Sequence, residues 1–212
     1  MLGIKSNRNA ITDEYAEKLR QEASFAKYTD YINSVLININ EFLADFNLKC
    51  KLLKEYDWDD DVVGIYIYRS AYSGVLRIGV NLKVIEEYAN ENDAEYFNID
   101  EIAEENILTT LWHEVGHGLM EHIRRMRRQD TQNKTGIFKG KVLNDLKEII
   151  YNEEEVVEEF GEYMAGFCYN SQLFNFLLKN AGILKYNKSG SVKITESDLR
   201  RIVSEFVKKI YF

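Results

Sequence analysis

The chain of 212 residues contains no proline, two cysteines and three histidines. Cys50 and Cys168 do not make a disulfide framework, so we expect the protein to work in a reducing compartment. The absence of proline, together with frequent Asn, Ile, Lys and Tyr, indicates an AT-rich coding genome rather than a structural demand. Histidine is so rare that two of them at the spacing of metal ligands are informative.

Long apolar runs are missing as well. No run approaches the roughly 20 residues of a membrane span, and the N-terminal segment MLGIKSNRNAITDEY has no apolar stretch typical of a secretory signal. We therefore expect a cytoplasmic protein by default, with a phage or mobile-element origin or export by a dedicated non-classical route as alternatives. The net charge of -8 argues against nucleic acid as a general partner.

Residues 1–212 are expected to form a single α+β domain, because 45% hydrophobic residues can bury one core and nothing marks a second domain. We divide it into an N-terminal helical segment at 1–46, helical from residue 12 in two segments, and a core at 47–212. Short strands rich in Val, Ile and Tyr are predicted at 48–53, 62–69 and Val75–Val80. Further helices are predicted over 101–125, 145–170, 174–179 and 196–209.

The segment HEVGH runs from His113 to His117 and matches the pattern HExxH. On a helix, residues four apart lie on one face, so the two imidazoles face one metal ion while Glu114 reaches a metal-bound water. Two neutral imidazoles, one carboxylate and an open position suit catalytic zinc. Gly116 and Gly118 are poor helix formers, which suggests that other parts of the chain approach the backbone closely there.

A chance HExxH is the competing interpretation, since a lone helical histidine is more often packed or solvated than ligating. Two observations favour the metal site. Two of only three histidines stand at ligand spacing with Glu114 between them. In addition, Leu108, Leu111, Val115 and Leu119 recur at helical spacing on the side away from the histidines, so that side packs inward.

The third ligand must come from elsewhere, because His122 lies roughly 140° round a continuing helix from His117. We expect His122 to be a surface or core residue. The predicted helix over 145–170 offers six glutamates. Of these, Glu154, Glu158 and Glu162 line one flank of the helix's apolar stripe, from which a carboxylate reaches a metal.

The segment from Tyr151 to Glu162 resembles the family of gluzincin zinc metallopeptidases formed by the anthrax lethal factor catalytic domain and the Pro-Pro endopeptidases. In that family the ligand Glu opens a Glu-x-Phe-Ala-Glu segment, seven residues after a Tyr. The resemblance implies that Glu158 is the zinc ligand and that Glu162 orients a ligand histidine. It further implies that Tyr151 donates a hydrogen bond to the developing oxyanion.

A neighbouring alignment gives a different ligand. Small repressor-cleaving metallopeptidases of phages and mobile elements carry Glu-x-x-Ala-x-x-Phe-Ala, which implies Glu154 as the ligand and Glu158 as its partner. The Tyr–Glu spacing favours Glu158, and the helix faces permit both.

Together these features predict a zincin-like fold, with a small mixed sheet packed on the HExxH helix and on a second, Glu-bearing helix. The expected function is a zinc-dependent endopeptidase in which Glu114 is the general base. The peptide or protein substrate is expected to lie extended along an edge strand, for which Val75–Val80 is the candidate. The alternatives are the repressor-cleaving type, a catalytically inert zincin-fold binding protein, and hydrolysis of a small amide.

Overall fold

Six helices and a small three-stranded sheet make up the described part of the chain, which comprises residues 8–53, 62–92, 98–180 and 184 of a computed structural model. This mixed α+β composition agrees with the prediction. The helices are α1 Arg8–Ala44, α2 Leu82–Asn92, α3 Ile99–Asn133, α4 Lys141–Tyr151, α5 Glu153–Ala165 and α6 Gln172–Lys179. The strands are β1 Lys49–Leu52, β2 Gly64–Tyr66 and β3 Val75–Val80, with a 3-10 helix at Ser70–Ser73 between the last two. The predicted helix over 196–209 lies outside the described residues.

The N-terminal segment forms one helix of 37 residues rather than the two predicted segments. The sequence of α1 contains no glycine or proline that would interrupt it. Its buried side chains recur every three or four residues and continue into the turn that follows, where Phe46 is also buried. They include Tyr28, Ile32, Val35, Ile39 and Leu43. This stripe packs α1 against the core, so α1 is scaffold.

The sheet has the strand order β1-β3-β2, with β1 parallel and β2 antiparallel to β3. Val75–Val80 is therefore the central strand, and its prediction as the edge strand is wrong. Leu76, Ile78 and Val80 are buried, and the strand is paired on both sides. Chain order alone did not reveal this, because strand neighbours are fixed by long-range pairing. In the described residues β2 is an edge strand.

The HExxH motif lies in the middle of α3, which extends beyond the predicted 101–125 and is capped by the Asn98 side chain. The predicted close approach at its glycines is confirmed. A Cβ on Gly118 would lie 2.6 Å from a methyl carbon of Leu76 on β3. A Cβ on Gly116 would lie 3.0 Å from the Val157 side chain on α5. The two glycines therefore let α3 lie directly on the sheet and on α5.

The predicted helix over 145–170 is two helices, because Asn152 leaves helical geometry with φ -110° and ψ 42°. The second of these, α5, runs antiparallel to α3. Gly161 faces the Thr109 carbonyl, Val157 faces Gly116, and Glu153 reaches Arg124 farther along α3. This register brings the first turn of α5 to the histidines of α3.

Candidate metal centre

His113 and His117 present their imidazoles to each other across one turn of α3. Their Nε2 atoms are 3.1 Å apart, and both side chains are partly buried. Burial and the charge of His117 lower the pKa of His113, which favours the neutral ring that a metal ligand requires.

Glu154, in the first turn of α5, completes the group. Its Oε2 atom is 3.6 Å from Nε2 of His117 and 3.9 Å from Nε2 of His113. The carboxylate is exposed, so it is accessible to an ion from solvent. Among the described residues, these three side chains form a group whose ligand atoms lie close enough together to hold a metal ion, called the metal group below.

The donor set fits zinc in both chemistry and size. Zinc takes imidazole nitrogen and carboxylate oxygen at about 2.0–2.2 Å, so two donors on a tetrahedral ion stand roughly 3.3 Å apart. The three observed separations, 3.1, 3.6 and 3.9 Å, lie close to that value. His113, His117 and Glu154 are therefore the residues that would hold a zinc ion.

The carboxylate in this group is Glu154, the alternate candidate, and not Glu158. Glu158 lies one turn farther along α5, exposed and outside the group. The break at Asn152 makes α5 a separate helix. Which of its glutamates faces the histidines therefore depends on how far α5 is shifted along α3. That position is set by the contacts of Gly116 and Gly161 with the neighbouring helix.

Glu114 lies beside the two histidines and is 6% exposed. Burial raises the pKa of Glu114 to about 7; the charge of His117 opposes the shift and Glu154 adds to it. A Cβ on Gly64 of β2 would lie 2.5 Å from Glu114 Oε1, so the carboxyl group rests against the bare backbone of that strand. A carboxyl with a pKa near neutrality is well suited to accept and return a proton.

A cavity of about 410 Å³ opens over these residues. Its other walls are formed by β2, by the turn after it, by the middle of α3 and by the first turn of α5. The lining side chains include Tyr66, Tyr68, Glu121, Arg124 and Glu153. Tyr66 donates to the buried Glu121, which also accepts from the Arg69 backbone N–H at 2.8 Å. This network holds the wall of the cavity in place.

The structure does not bring Tyr151 or Glu162 into the cavity. Tyr151, the last residue of α4, is 89% exposed, and neither residue lines the cavity. The predicted roles of Tyr151 as oxyanion donor and of Glu162 as orienting carboxylate thus have no support in this arrangement. The helix break at Asn152 separates Tyr151 from the face of α5 that meets the histidines.

Sequence reasoning missed Glu153 and Arg124. Glu153 Oε1 lies 3.4 Å from Nδ1 of His117, and its Oε2 accepts from Arg124 Nη2. Although burial alone would raise the pKa of Glu153, the hydrogen bonds with His117 and Arg124 hold that pKa below its ordinary value. Helical spacing was an available signal, because Arg124 lies two turns after His117 on the same face of α3.

No protein-family profile, curated protein or solved structure that was compared with the chain matches it. The resemblance of its sequence to zinc metallopeptidases therefore rests on the motif residues themselves. In the described part of the chain, no helix is both long and apolar enough to cross a membrane.

Proposed function

We propose that the protein is a zinc-dependent peptidase in which His113, His117 and Glu154 hold the metal and Glu114 is the general base. The observation that carries the proposal is the convergence of three donor atoms at 3.1, 3.6 and 3.9 Å in a cavity that also holds the buried Glu114 carboxyl. A buried glutamate with a raised pKa is unfavourable for folding alone, which supports a chemical role for Glu114.

A bound zinc ion supplies Lewis-acid chemistry, which acidifies a water molecule and polarises the scissile carbonyl. The chain's own contribution is the movement of the proton. Glu114 accepts a proton from the attacking water and passes it to the leaving amine, so that one carboxyl group acts first as base and then as acid. Its close packing against Gly64 fixes the carboxyl group for both steps.

The edge strand β2 gives the cavity a place for an extended peptide. The Val63 carbonyl accepts from the N–H of the residue after β3, and the Ile67 N–H donates to β3. The alternation of an antiparallel strand therefore directs the backbone groups of Gly64 and Tyr66 to the open edge. A substrate strand pairing there would run past Glu114 and the histidines. We therefore propose β2, in place of Val75–Val80, as the strand that binds a peptide or protein substrate.

The position of Glu154 favours the repressor-cleaving type of metallopeptidase over the lethal-factor type as the closer functional analogue. In the pattern Glu-x-x-Ala-x-x-Phe-Ala, Glu154 and Phe160 match, while Val157 and Gly161 stand where the pattern has Ala. Gly161 needs to be small, because a Cβ there would lie 2.9 Å from the Thr109 carbonyl oxygen. This second candidate has the same chemistry and a regulatory protein as its substrate.

The test compares wild-type protein with Glu114→Gln, measuring zinc content by mass spectrometry and cleavage of a degenerate peptide library. We expect about one zinc per chain in both proteins and turnover reduced by roughly 10²–10⁴-fold or more in the variant. Wild-type protein that binds no zinc, or a variant as active as wild type, would contradict the proposal. Zinc binding without any cleavage would instead support the inert zincin-fold binding protein.

A further inference from the structure

We propose that Glu153, held by Arg124, is the positioning residue that orients His117 toward the metal. The inference rests on the proposed zinc site and adds to it a function for two residues that are not ligands. It assigns different roles to neighbouring carboxylates, since Glu153 and Glu154 contact opposite ring nitrogens of the same imidazole.

The contact of Glu153 with His117 fixes where the imidazole carries its proton. An ionised carboxylate only accepts hydrogen bonds, so in the 3.4 Å contact Nδ1 of His117 is the protonated nitrogen. In a neutral ring the lone pair then lies on Nε2, the atom that faces His113 and Glu154. This is the tautomer that a metal ligand needs at Nε2.

Arg124 holds Glu153 in this position. Its guanidinium donates to Glu153 Oε2 while Oε1 faces His117, so the two oxygens of one carboxylate are bound on different sides. Both side chains are largely shielded from solvent, at 31% and 22% exposure, and a partly shielded charge pair keeps its geometry better than an exposed one. Because a guanidinium only donates hydrogen bonds, Glu153 Oε2 is the acceptor in this pair.

Neither Glu158 nor Glu162, which the sequence patterns imply as the partner carboxylates, orients His117 in this structure. Glu158 and Glu162 lie one and two turns beyond Glu154 on the same flank of α5, and neither lines the cavity. Glu153 reaches Nδ1 because it begins α5, where the helix meets His117 and Arg124.

The experiment measures zinc affinity by competition with a chromogenic chelator for wild type, Glu153→Ala, Glu153→Gln and Glu155→Ala. Glu155→Ala is the matched control, because it removes an exposed carboxylate from the same first helical turn. We expect Glu153→Ala to bind zinc roughly 10- to 100-fold more weakly, whereas Glu155→Ala binds nearly as wild type. Glu153→Gln should lie between them, because its amide oxygen still accepts from Nδ1.

The unfolding temperature of the metal-free protein separates positioning from a merely structural role. If Glu153 orients His117, its variants lose zinc affinity while the metal-free protein unfolds near the wild-type temperature. Arg124→Ala should weaken zinc binding several-fold on its own. It should have no further effect in the Glu153→Ala background, because its influence passes through Glu153.

The outcomes distinguish this inference from the proposed function. Zinc affinity of Glu153→Ala within twofold of Glu155→Ala would overturn the positioning role while leaving the metal site in place. Wild-type protein that binds no zinc would overturn both. Zinc binding without peptide cleavage would overturn the peptidase alone, and the ranking of the four affinities would still decide whether Glu153 positions His117.

Discussion

His117 and His122 lie five residues apart on the same helix, are both partly buried, and have opposite surroundings. His117 has a carboxylate near each ring nitrogen, with Glu153 at 3.4 Å and Glu154 at 3.6 Å. Both ring nitrogens of His122 are buried, and neither has a hydrogen-bond partner among the described residues. Burial alone therefore does not make a metal ligand of a histidine.

The pKa values of the two histidines are shifted in opposite directions by these surroundings. Burial would lower the pKa of His117, but its hydrogen bond with Glu153 and the charges of Glu114 and Glu154 raise it above the ordinary value. Burial and the Arg125 guanidinium lower the pKa of His122 to about 4. His122 is thus a neutral packed residue, and its position on α3, which the helical geometry of the sequence predicts, leaves it outside the metal group.

Replacing each histidine in turn should give the largest contrast. His117→Phe removes one of the three proposed ligands, so we expect zinc affinity to fall on the order of a thousandfold. His122→Phe should leave zinc affinity within a few-fold of wild type, because His122 is not part of the metal group. Chelator competition measures both affinities. Equal losses in the two variants would show that the site depends on the fold of α3 rather than on His117 as a ligand.

The carboxylates on the two successive turns of α5 provide the next contrast. Glu154→Gln should weaken zinc binding on the order of a hundredfold, because an amide is a poorer ligand for zinc than a carboxylate. Glu158→Gln removes the same charge one turn away and should change the affinity little. Zinc titration of both variants checks the expectation. A loss confined to Glu158→Gln would restore the lethal-factor alignment.

Features set by local periodicity were predictable from the sequence. Val75–Val80 is a strand with the predicted bounds, and the inward face of the HExxH helix is buried at Leu108, Leu111, Val115 and Leu119. Features that depend on distant parts of the chain were not. Strand order placed β3 in the centre of the sheet, and no proline or glycine signals the break at Asn152.

The sequence reduced the candidates for the third ligand to a few glutamates, but it could not decide between Glu154 and Glu158. The two residues share one flank of α5 and lie four residues apart, about 6 Å along the axis. Sequence periodicity determines the flank. The turn that meets the histidines depends on how far α5 slides along α3, and contacts such as that of Gly161 with the Thr109 carbonyl set this position.

His122 should also determine part of the acid sensitivity of the protein. Its folded pKa of about 4 lies below the ordinary 6.5, so the unfolded chain takes up a proton that the folded protein refuses. Stability is therefore lost as pH falls from about 6.5 towards 4, by roughly 2 kcal/mol between pH 8 and pH 5. His122→Phe should remove this part of the loss of stability between pH 8 and pH 5. Urea unfolding of metal-free wild type and variant at both pH values measures it, and parallel pH dependences would contradict the assignment.

The smallest expected effects come from replacing one glycine near each histidine. Gly64 lies beside Glu114 in the cavity of the metal group, and Gly74 lies in the cavity that His122 lines. A Cβ on Gly64 would lie 2.5 Å from both Glu114 Oε1 and the Thr110 methyl carbon, so Gly64→Ala should displace the proposed general base and lower kcat about tenfold without loss of zinc. A Cβ on Gly74 meets nothing closer than 3.7 Å, but its φ of +77° is unfavourable for alanine. Gly74→Ala should therefore cost about 1 kcal/mol of stability and leave kcat unchanged. Steady-state kinetics and urea unfolding separate the two effects. Glu114→Asp withdraws the carboxyl group from residue 64, and Thr110→Ser removes the methyl group that an added Cβ would also meet. Adding Gly64→Ala to a variant that carries both changes should therefore lower kcat no further. An additional tenfold loss in that triple variant would mean that Gly64 acts on the substrate strand and not through Glu114.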